Sequence, residues 1–424
     1  YNEIGDSVKD YDALDSKCPS CGAQIIWDPS IEKFKCEYCG SLFSADEFLK
    51  LQENEEENSK RGNEELVSFK CNNCGAEIVS DVNTYSTFCV YCGSSAILKD
   101  KINSENMPDY VIPFKITEED ARSAYNELLK GKMLLPRKFR KAKLSEKIRG
   151  IYIPFWAYDI IYNGDIKFEG VDIEEWEDDE YEYEKRKYYD VIVRGHYEYE
   201  KVLCDASRFF NDDLMDSISP FDLNELIKYN HAFLCGYLAD TYDVSKEESF
   251  NIAKERTTNS CISVARRESP HDEDHYTGDN LIIDKSKTYH LYLPVYILSV
   301  PFKKKIYTFA MNGQTGKLIG NLPIGKIRYT LSITSLFIAT LLIIFILLSL
   351  TEMPPEGICI LSIIASIITV TIYGYIIHDK YKPVNAEYYA FDYLNENKLE
   401  TEIIEDSYIH SSTSKNRKLN SNKN

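Results

Sequence analysis

Eight cysteines form four C-x2-C pairs, a spacing that proteins use to hold a metal ion. Fourteen residues separate the first pair from the second, and fourteen separate the third from the fourth. Each pair turns tightly enough for both thiolates to face one ion, and two pairs complete a tetrahedral shell. The sequence therefore predicts two metal sites. The predicted ligands are Cys18, Cys21, Cys36 and Cys39 in the first site and Cys71, Cys74, Cys89 and Cys92 in the second.

The two sets belong to an internal repeat with an offset of 53 residues. Cys-Gly-Ala at 21–23 recurs at 74–76, and Tyr-Cys-Gly-Ser at 38–41 recurs at 91–94. The glycine after the second cysteine of every pair predicts a positive φ, with backbone N–H groups turned toward the sulfurs. Modules this small need the metal for their folding energy. We expect two small β zinc ribbons, over residues 14–50 and 67–100.

A shell of four cysteines leaves no coordination position for water, which favours two structural Zn²⁺ ions over catalytic ones. Two disulfides per module are an alternative, but they require an oxidising compartment. Iron in a rubredoxin-like site is a second alternative, and metal analysis separates it from zinc. The remaining cysteines have no ligand spacing and are expected to be buried thiols. They are Cys204, Cys235, Cys261 and Cys359.

Residues 329–377 contain two uncharged segments, each long enough to cross a hydrocarbon core as a helix. The connection at 351–356 has no lysine or arginine, whereas both outer flanks are basic. The positive-inside rule then predicts a two-pass protein of the cell membrane with both termini in the cytoplasm. A buried helical hairpin in a soluble core is the alternative. The basic flanking residues are Lys326, Arg328, Lys380 and Lys382.

This orientation keeps the cysteines in the reducing cytosol, where thiols can hold zinc. Neither span contains an Asp, Glu, Lys, Arg or His before its closing flank, which argues against transport and favours an anchor. The polar, acidic start, Tyr1 to Lys17, does not have the pattern of a signal peptide. Because the chain begins with Tyr1 instead of methionine, further residues can precede it.

The charge balance argues against nucleic acid as a partner. The 424 residues carry a net charge of −19. Residues 1–100 contain 19 acidic and 9 basic side chains, and residues 51–66 form an acidic linker between the ribbons. Phosphate contact depends on lysine and arginine, so an acidic ribbon is poorly suited to it.

Residues 110–324 are predicted to form a cytoplasmic α+β domain with an antiparallel sheet. Helices are expected from Thr117 to Lys130, from Leu223 to Leu238 and from Ser245 to Arg267, two of them with capping residues. The cytoplasmic tail, 378–424, is expected to be disordered over its last fifteen residues. Strands are expected at 111–115, 151–161, 165–169, 188–203, 289–300 and 305–311.

Two short motifs fail as chemical sites. Residues 312–317 do not have the spacing of a phosphate loop, and Asn-Gly after a strand predicts a hairpin turn. Residues 271–275 have two histidines four apart but lack the H-E-x-x-H order, which favours a solvated acidic loop. We find no catalytic set, so the chain is not expected to be an enzyme. Three interpretations of the basic run 130–149 stay open: contact with anionic lipid, a solvated face, or pairing with the acidic segment 172–184.

The whole pattern resembles a bacterial family of membrane-anchored TFIIB-type zinc-ribbon-containing proteins. The resemblance covers nearly the whole chain and rests on the paired ribbons and on five further motifs. It implies zinc ligation by the eight matching cysteines and no assigned catalytic residue, and loosely implies a role in bringing envelope-stress proteins to the membrane. Helicase activity, a label that some relatives carry, is not implied because the chain lacks a Walker A loop. The motifs lie at 87–93, 110–115, 153–156, 216–222 and 309–317.

These observations predict a scaffold or adaptor that recruits protein partners to the cytoplasmic face of the bilayer. The alternatives are a membrane-bound nucleic-acid-binding or transcription-related protein and an enzyme of the α+β domain. A nucleic-acid-binding protein would need a basic ribbon face. An enzyme would need a polar pocket that contains titratable groups with shifted pKa values.

Overall fold

The computed structural model describes residues 18–23, 25–56, 67–71, 76–80, 97–101, 107–136, 147–210, 212–350, 354–382 and 388–417. They belong to two compact units. The first unit comprises Tyr1–Pro154, Ser207–Asp243 and Tyr292–Ala386, and the second comprises Phe155–Ala206, Val244–Leu291 and Glu387–Asn424. The single domain predicted over 110–324 is therefore divided between two units, because strands from distant parts of the chain pair within each unit.

The described strands are β1 Ile25–Asp28, β2 Lys33–Cys36, β3 Leu42–Phe43, β4 Val67–Cys71, β5 Glu77–Ser80, β6 Ile97–Lys101, β7 Tyr110–Val111, β8 Arg149–Glu177, β9 Tyr181–Asp205, β10 Ile227–Lys228, β11 Leu238–Asp240, β12 Glu273–Asp279, β13 Ile282–Phe302, β14 Lys305–Asn312, β15 Leu318–Gly320 and β16 Glu400–Arg417. The described α-helices are α1 Ala45–Glu56, α2 Glu118–Leu129, α3 Asp212–Ser217, α4 Lys246–Arg266, α5 Lys326–Ser349 and α6 Pro355–Tyr381.

In the first unit, β1, β2 and β3 form a small antiparallel sheet within the predicted first ribbon. The strand β4 pairs with β5 and β6, all antiparallel, within the predicted second ribbon. The strand β5 also pairs antiparallel with β11, and β11 pairs in parallel with β8 at Ile151 and Tyr152. An antiparallel sheet was predicted for this region. The sheet is mixed, because the long stretch of chain between β8 and β11 supplies the crossover that a parallel pair requires.

The local sequence predicts two helices well, α2 in the first unit and α4 in the second. Thr117 caps α2 with a complete capping box, in which Asp120 bonds back to the cap. Ser245 caps α4 by accepting a hydrogen bond from the backbone of Glu248. Side-chain oxygens at these positions satisfy N–H groups that the first turn of a helix leaves free.

The helix predicted from Leu223 to Leu238 is wrong. The segment contains two short 3-10 turns and the strands β10 and β11. The side chains of Asp222 and Asn230 accept hydrogen bonds from backbone N–H groups two residues ahead and so start separate short turns. Such local bonds compete with a continuous helix.

Helices α5 and α6 are long and apolar enough to cross a membrane. No side chain of α5 is buried, and most of the apolar side chains of α6 are also exposed. The two helices contact each other, and the hydroxyls of Ser332 and Tyr373 lie 2.7 Å apart. Their bounds extend the predicted segments by a few residues at the basic ends.

The segment 132–135 is bonded to the basic ends of both apolar helices. Lys132 donates from Nζ to the carbonyl of Lys380 at 2.9 Å. Arg328 donates to the carbonyl of Leu135 at 2.7 Å. The basic ends of α5 and α6 are therefore held together by one loop of the first unit.

The second unit is an antiparallel sheet in the order β12, β8, β9, β16, with α4 packed against it. Tyrosines on the sheet reach the helix: the hydroxyl of Tyr158 donates to the carbonyl of Lys246, and that of Tyr162 lies 2.9 Å from Oγ1 of Thr257. Tyrosine suits this interface because its ring packs while its hydroxyl finds a polar partner.

The predicted disorder of the last fifteen residues is wrong for residues 410–417. These residues extend β16, which pairs with β9 from Glu400 opposite His196 to Arg417 opposite Tyr181. The segment is polar because the side chains of β16 are almost all exposed, while its backbone is satisfied by the ladder. Residues 418–424 lie outside the described residues.

Candidate metal centre

The first predicted set of ligands comes together. The sulfurs of Cys18, Cys21, Cys36 and Cys39 all lie within 4.8 Å of one another. Cys18 Sγ lies 3.6 Å from Cys39 Sγ, and Cys21 Sγ lies 3.6 Å from Cys36 Sγ. Tetrahedral zinc with Zn–S bonds of about 2.3 Å requires sulfurs about 3.8 Å apart. The four thiols therefore fit one tetrahedral metal ion.

The same distances exclude disulfides among these four cysteines. A disulfide needs an S–S distance of about 2.05 Å, and all four residues are free thiols. Cys18 and Cys36 are buried, whereas Cys21 and Cys39 are exposed. The site thus lies at the edge of its small module, with one cysteine of each pair turned inward.

Glycine shapes both knuckles. Gly22 and Gly40 have φ values of 71° and 72°, and nothing within 4 Å would meet an added Cβ at either position. The left-handed backbone, and not crowding, therefore requires glycine. Their N–H groups donate to the carbonyls of Cys18 and Cys36, at 2.8 and 2.9 Å. These N–H groups close the turns. The backbone N–H groups of the next residues, Ala23 and Ser41, bond to the sulfurs of Cys21 and Cys39, which agrees with the predicted N–H groups turned toward sulfur.

The thiols influence one another's ionisation. Hydrogen bonds from the side chain and backbone of Ser41 lower the pKa of Cys39 to about 6. A backbone bond at Ala23 acts to lower the pKa of Cys21, but local desolvation and the neighbouring thiols outweigh it and raise that pKa to about 12. Four sulfurs this close cannot all carry a negative charge without a cation among them, since like charges at such distances disfavour ionisation. A divalent metal relieves that repulsion.

The second predicted site lies almost wholly outside the described residues. Cys71 ends β4, where the description extends to the backbone only. Cys74, Cys89 and Cys92 are outside the described residues, as are Gly75 and Gly93. The second metal ion stays a prediction from the repeat.

Three of the other cysteines, Cys204, Cys235 and Cys261, are buried as expected. Cys359 differs, because it is exposed on α6. None of the four joins a metal-binding group within the described part of the chain.

An aromatic cluster that the sequence analysis missed fixes the four-cysteine module to the first unit. Nε1 of Trp27 donates to the carbonyl of Phe114 at 2.7 Å, in a buried setting. The ring of Trp27 lies 5.2 Å from that of Phe34 and 5.4 Å from that of Phe233. Trp27 lies on β1 and Phe34 lies on β2, and these two strands pair. The alternation of apolar and polar residues along both strands was the signal in the sequence that could have indicated this cluster.

Two motifs behind the resemblance, 216–222 and 309–317, contact each other. The buried amide of Asn312 donates to the carbonyls of Ile218 and Pro220, both at 3.1 Å. The side chain of Gln314 accepts from the N–H of Asp222 at 2.8 Å and donates to its carbonyl at 3.1 Å. The predicted hairpin turn at Asn312 is confirmed, since it joins β14 to β15. Its polar side chains organise a neighbouring loop and do not form a phosphate site.

A third motif, 110–115, lies close to these two motifs and to the four-cysteine module. Lys115 Nζ lies 2.6 Å from Oε1 of Glu225 and 3.6 Å from Oε2 of Glu32. The hydrogen bond to Glu225 raises the pKa of Lys115. Three motifs far apart in sequence therefore converge beside the four-cysteine module.

The solvated loop predicted at 271–275 is wrong, because residues 273–275 begin the strand β12 and the side chain of His271 is buried. Its side chain is only 6% exposed and lies between the carboxylates of Asp172 and Asp406. Both ring nitrogens are occupied by these contacts, so neither is directed toward a metal. The remaining histidine of the motif, His275, is 61% exposed.

The fold and the site define a protein with a four-cysteine centre in a small β module and two helices able to cross a membrane. Comparison with curated proteins finds "Uncharacterized protein YdjG" of Bacillus subtilis (strain 168), which is 30% identical over 311 residues. The match covers 73% of this chain and 90% of that protein. The chain therefore belongs to the YdjG family. No family model and no solved structure matches it.

Proposed function

We propose that this chain is a membrane-anchored scaffold. Two zinc ribbons and an α+β region lie at the cytoplasmic face, α5 and α6 cross the bilayer, and the ribbons recruit protein partners, in agreement with membership of the TFIIB-type zinc-ribbon family suggested by the sequence. A place in the envelope-stress response is compatible with this role.

The observation that carries the proposal is the exposure of the apolar helices. A helical hairpin in a soluble core would bury its apolar residues, whereas side chains such as Ile343 and Ile346 of α5 are more than half exposed. Soluble proteins rarely expose so large a continuous apolar surface. A lipid environment removes that surface from water.

The strand pairing supports a hairpin with both ends on one side. The strand β16 follows α6 in the chain, and it pairs with β9, which precedes α5. If both helices span the bilayer, the chain must return to the side from which it started. The basic residues at the shared end of α5 and α6 favour the cytoplasm for that side.

The four-cysteine centre supports the recruiting role. Its closed shell suits a structural Zn²⁺ ion, which would stabilise a small surface module without offering a reactive position. Cys21 and Cys39 are exposed, so the metal site lies close to the surface that a partner would meet.

Membrane location is tested by alkaline extraction of membranes that contain the full chain. Epitope tags are placed in the connection at 354–356 and at the C-terminus, and protease protection is compared in spheroplasts and inverted vesicles. We expect the protein to resist extraction, with the connection cleaved only from outside. Release into the soluble fraction would contradict the anchor.

Recruitment is tested by cross-linking in cells followed by purification of the tagged full chain. The Cys18→Ser, Cys36→Ser double variant should lose defined protein partners while staying in the membrane, and Cys359→Ser should keep them. Partners retained by the double variant would contradict recruitment through the first ribbon. A mobility shift of nucleic acid by the purified full chain would favour the nucleic-acid-binding alternative.

A further inference from the structure

A cavity of about 750 Å³ opens at the basic end of the two apolar helices. Its walls come from the start of β14, the segment 321–324, the first turn of α5, the last turns of α6, and α3. All of these belong to the first unit. The volume falls in the range of small-molecule sites, about 300–1,000 Å³. The lining includes Lys305, Tyr307, Asn321, Lys326, Gly374 and Lys382.

The polar part of the cavity is cationic. Lys305, Lys326 and Lys382 are all exposed, and none of the three forms an ion pair with a described residue. His378 adds an imidazole, and Asp213 is the acidic side chain of the described lining. Three ammonium groups around one cavity create a site for an anion, since the single carboxylate of Asp213 in the described lining cannot neutralise all three.

The deeper part of the cavity is apolar. Leu214, Leu322 and Ile377 are buried and line it, and Tyr329 stands at the first turn of α5. The side-chain oxygen of Asn321 is buried and has no hydrogen-bond partner among the described residues. This oxygen can accept a bond from a hydroxyl, which a buried polar atom needs.

A free phosphate ion would use the lysines and leave the apolar wall unused. A glycerophospholipid would use both, because it joins a phosphate to glycerol and acyl chains. The cavity also lies where α5 and α6 would meet the headgroup layer, and basic pockets beside spanning helices suit anionic headgroups. The shared chemistry is a phosphate ester, and the position selects the lipid.

We propose that this cavity binds the headgroup of an anionic glycerophospholipid. Lys305, Lys326 and Lys382 contact the phosphate, and the wall formed by Leu322 and Ile377 packs against the glycerol and the first acyl carbons. The inference rests on the proposed membrane location of α5 and α6. It adds a defined lipid site to what would otherwise be a simple anchor.

The test uses the full chain in nanodiscs of equimolar phosphatidylglycerol and phosphatidylcholine. After extraction into mild detergent, native mass spectrometry measures how much of each lipid stays bound. We expect phosphatidylglycerol to be retained preferentially. The Lys305→Gln, Lys326→Gln, Lys382→Gln variant should reduce this preference by roughly tenfold or more, since each nearby lysine contributes to anionic lipid affinity.

A second variant changes the shape of the cavity and keeps its charge. A Cβ added at Gly374 meets only the Tyr329 hydroxyl, at 3.6 Å, so Gly374→Leu can be accommodated on the helix and projects into the cavity. It should also lose the preference. The matched control is Lys35→Gln, Lys254→Gln, Lys285→Gln, which removes three exposed lysines elsewhere and should retain it.

The outcomes separate the inference from the proposed anchor. A protein that resists alkaline extraction but shows equal retention of both lipids overturns the lipid site alone. Equal loss in the control triple variant overturns it as well, since general charge would then explain the preference. Binding of inorganic phosphate with the same lysine dependence and no lipid preference overturns the lipid as ligand. A protein that leaves the membrane on extraction overturns both proposals.

Discussion

The Nδ1 atom of His271 lies 2.9 Å from Oδ1 of Asp172, and its Nε2 atom lies 3.0 Å from Oδ1 of Asp406. The ring stacks on Tyr189, with centroids 4.2 Å apart. Asp172 stands on β8 and Asp406 on β16, so one imidazole joins two strands that flank β9. Gly170 leaves room for the ring, since a Cβ there would lie 2.2 Å from it.

The contact predicts a pH dependence for β16. Burial acts to lower the pKa of His271, but the hydrogen bonds to Asp172 and Asp406 outweigh it and raise that pKa above 6.5. The bond to His271 lowers the pKa of Asp172 below 3.8. A raised histidine pKa stabilises the fold below pH 6.5, and this contribution is lost as the pH rises through the raised value. The carboxylate contribution is lost only as the pH falls below 3.8.

We therefore expect β16 to be better protected from hydrogen exchange at pH 6 than at pH 8, after correction for the intrinsic exchange rate. His271→Gln should remove this difference because its amide does not titrate. His275→Gln is the control and should keep it, since His275 is exposed. Equal protection of wild-type β16 at both pH values would argue against an imidazolium clamp. Lys187, which bonds to Glu174, also acts electrostatically on Asp172.

Metal content is expected to be two Zn²⁺ ions per chain. Cys36→Ser removes a ligand of the first site and should leave one ion, and Cys74→Ser should do the same for the second. The double variant should bind none, and Cys235→Ser should keep both because Cys235 lies outside the metal-binding group of the described residues. Elemental analysis of the purified full chain measures this. Iron in place of zinc would favour the rubredoxin-like alternative, and a wild type with one ion would contradict the second site.

The bond from Trp27 to Phe114 should contribute to the docking of the four-cysteine module. Trp27→Phe removes the donor but keeps an aromatic ring, and we expect a loss of about 1 kcal/mol in the free energy of docking. Faster hydrogen exchange over residues 25–36 is the readout. Trp156→Phe makes the same chemical change in the second unit, where the indole bonds to Val244, and should leave 25–36 unaffected. Identical effects of both variants would speak against a specific docking bond.

Gly313 should not tolerate a side chain. A Cβ there would lie 2.6 Å from the ring of Phe114 and 3.0 Å from Cβ of Pro294. Gly313→Ala should lower the free energy of unfolding by roughly 1–3 kcal/mol because the packed ring must shift. Gly374→Ala is the matched control, since its Cβ makes an ordinary contact. Thermal unfolding in one detergent compares the two, and an unchanged Tm for Gly313→Ala would refute the crowding argument.

Features set by neighbours in the sequence were predictable. The spacing of Cys18 and Cys21 brings two sulfurs to one side of a turn, and Thr117 and Ser245 satisfy the first turns of their own helices. The exposed apolar helices follow from composition alone, since no polar stripe interrupts them. In each case the interaction joins residues only a few positions apart, so a pattern in the sequence records it.

Features set by distant partners were not predictable. Gln314 bonds to Asp222, 92 residues away, and His271 bonds to Asp406, 135 residues away. The strand β16 has the serine-rich composition of a disordered tail, because its backbone ladder with β9 does not depend on apolar side chains. The cationic cavity combines lysines from β14, α5 and the end of α6, and no spacing rule connects them.

The pairing of β16 with β9 can form only after both apolar helices have been synthesised. The ribosome makes β9 before either apolar helix, and it makes β16 only after both. During translation β9 therefore keeps an unpaired edge until both helices have been synthesised. If both helices span the bilayer as proposed, a chain that inserts only one of them leaves β16 on the side opposite β9. The second unit then cannot be completed, and the open edge of its sheet is exposed to aggregation and proteolysis.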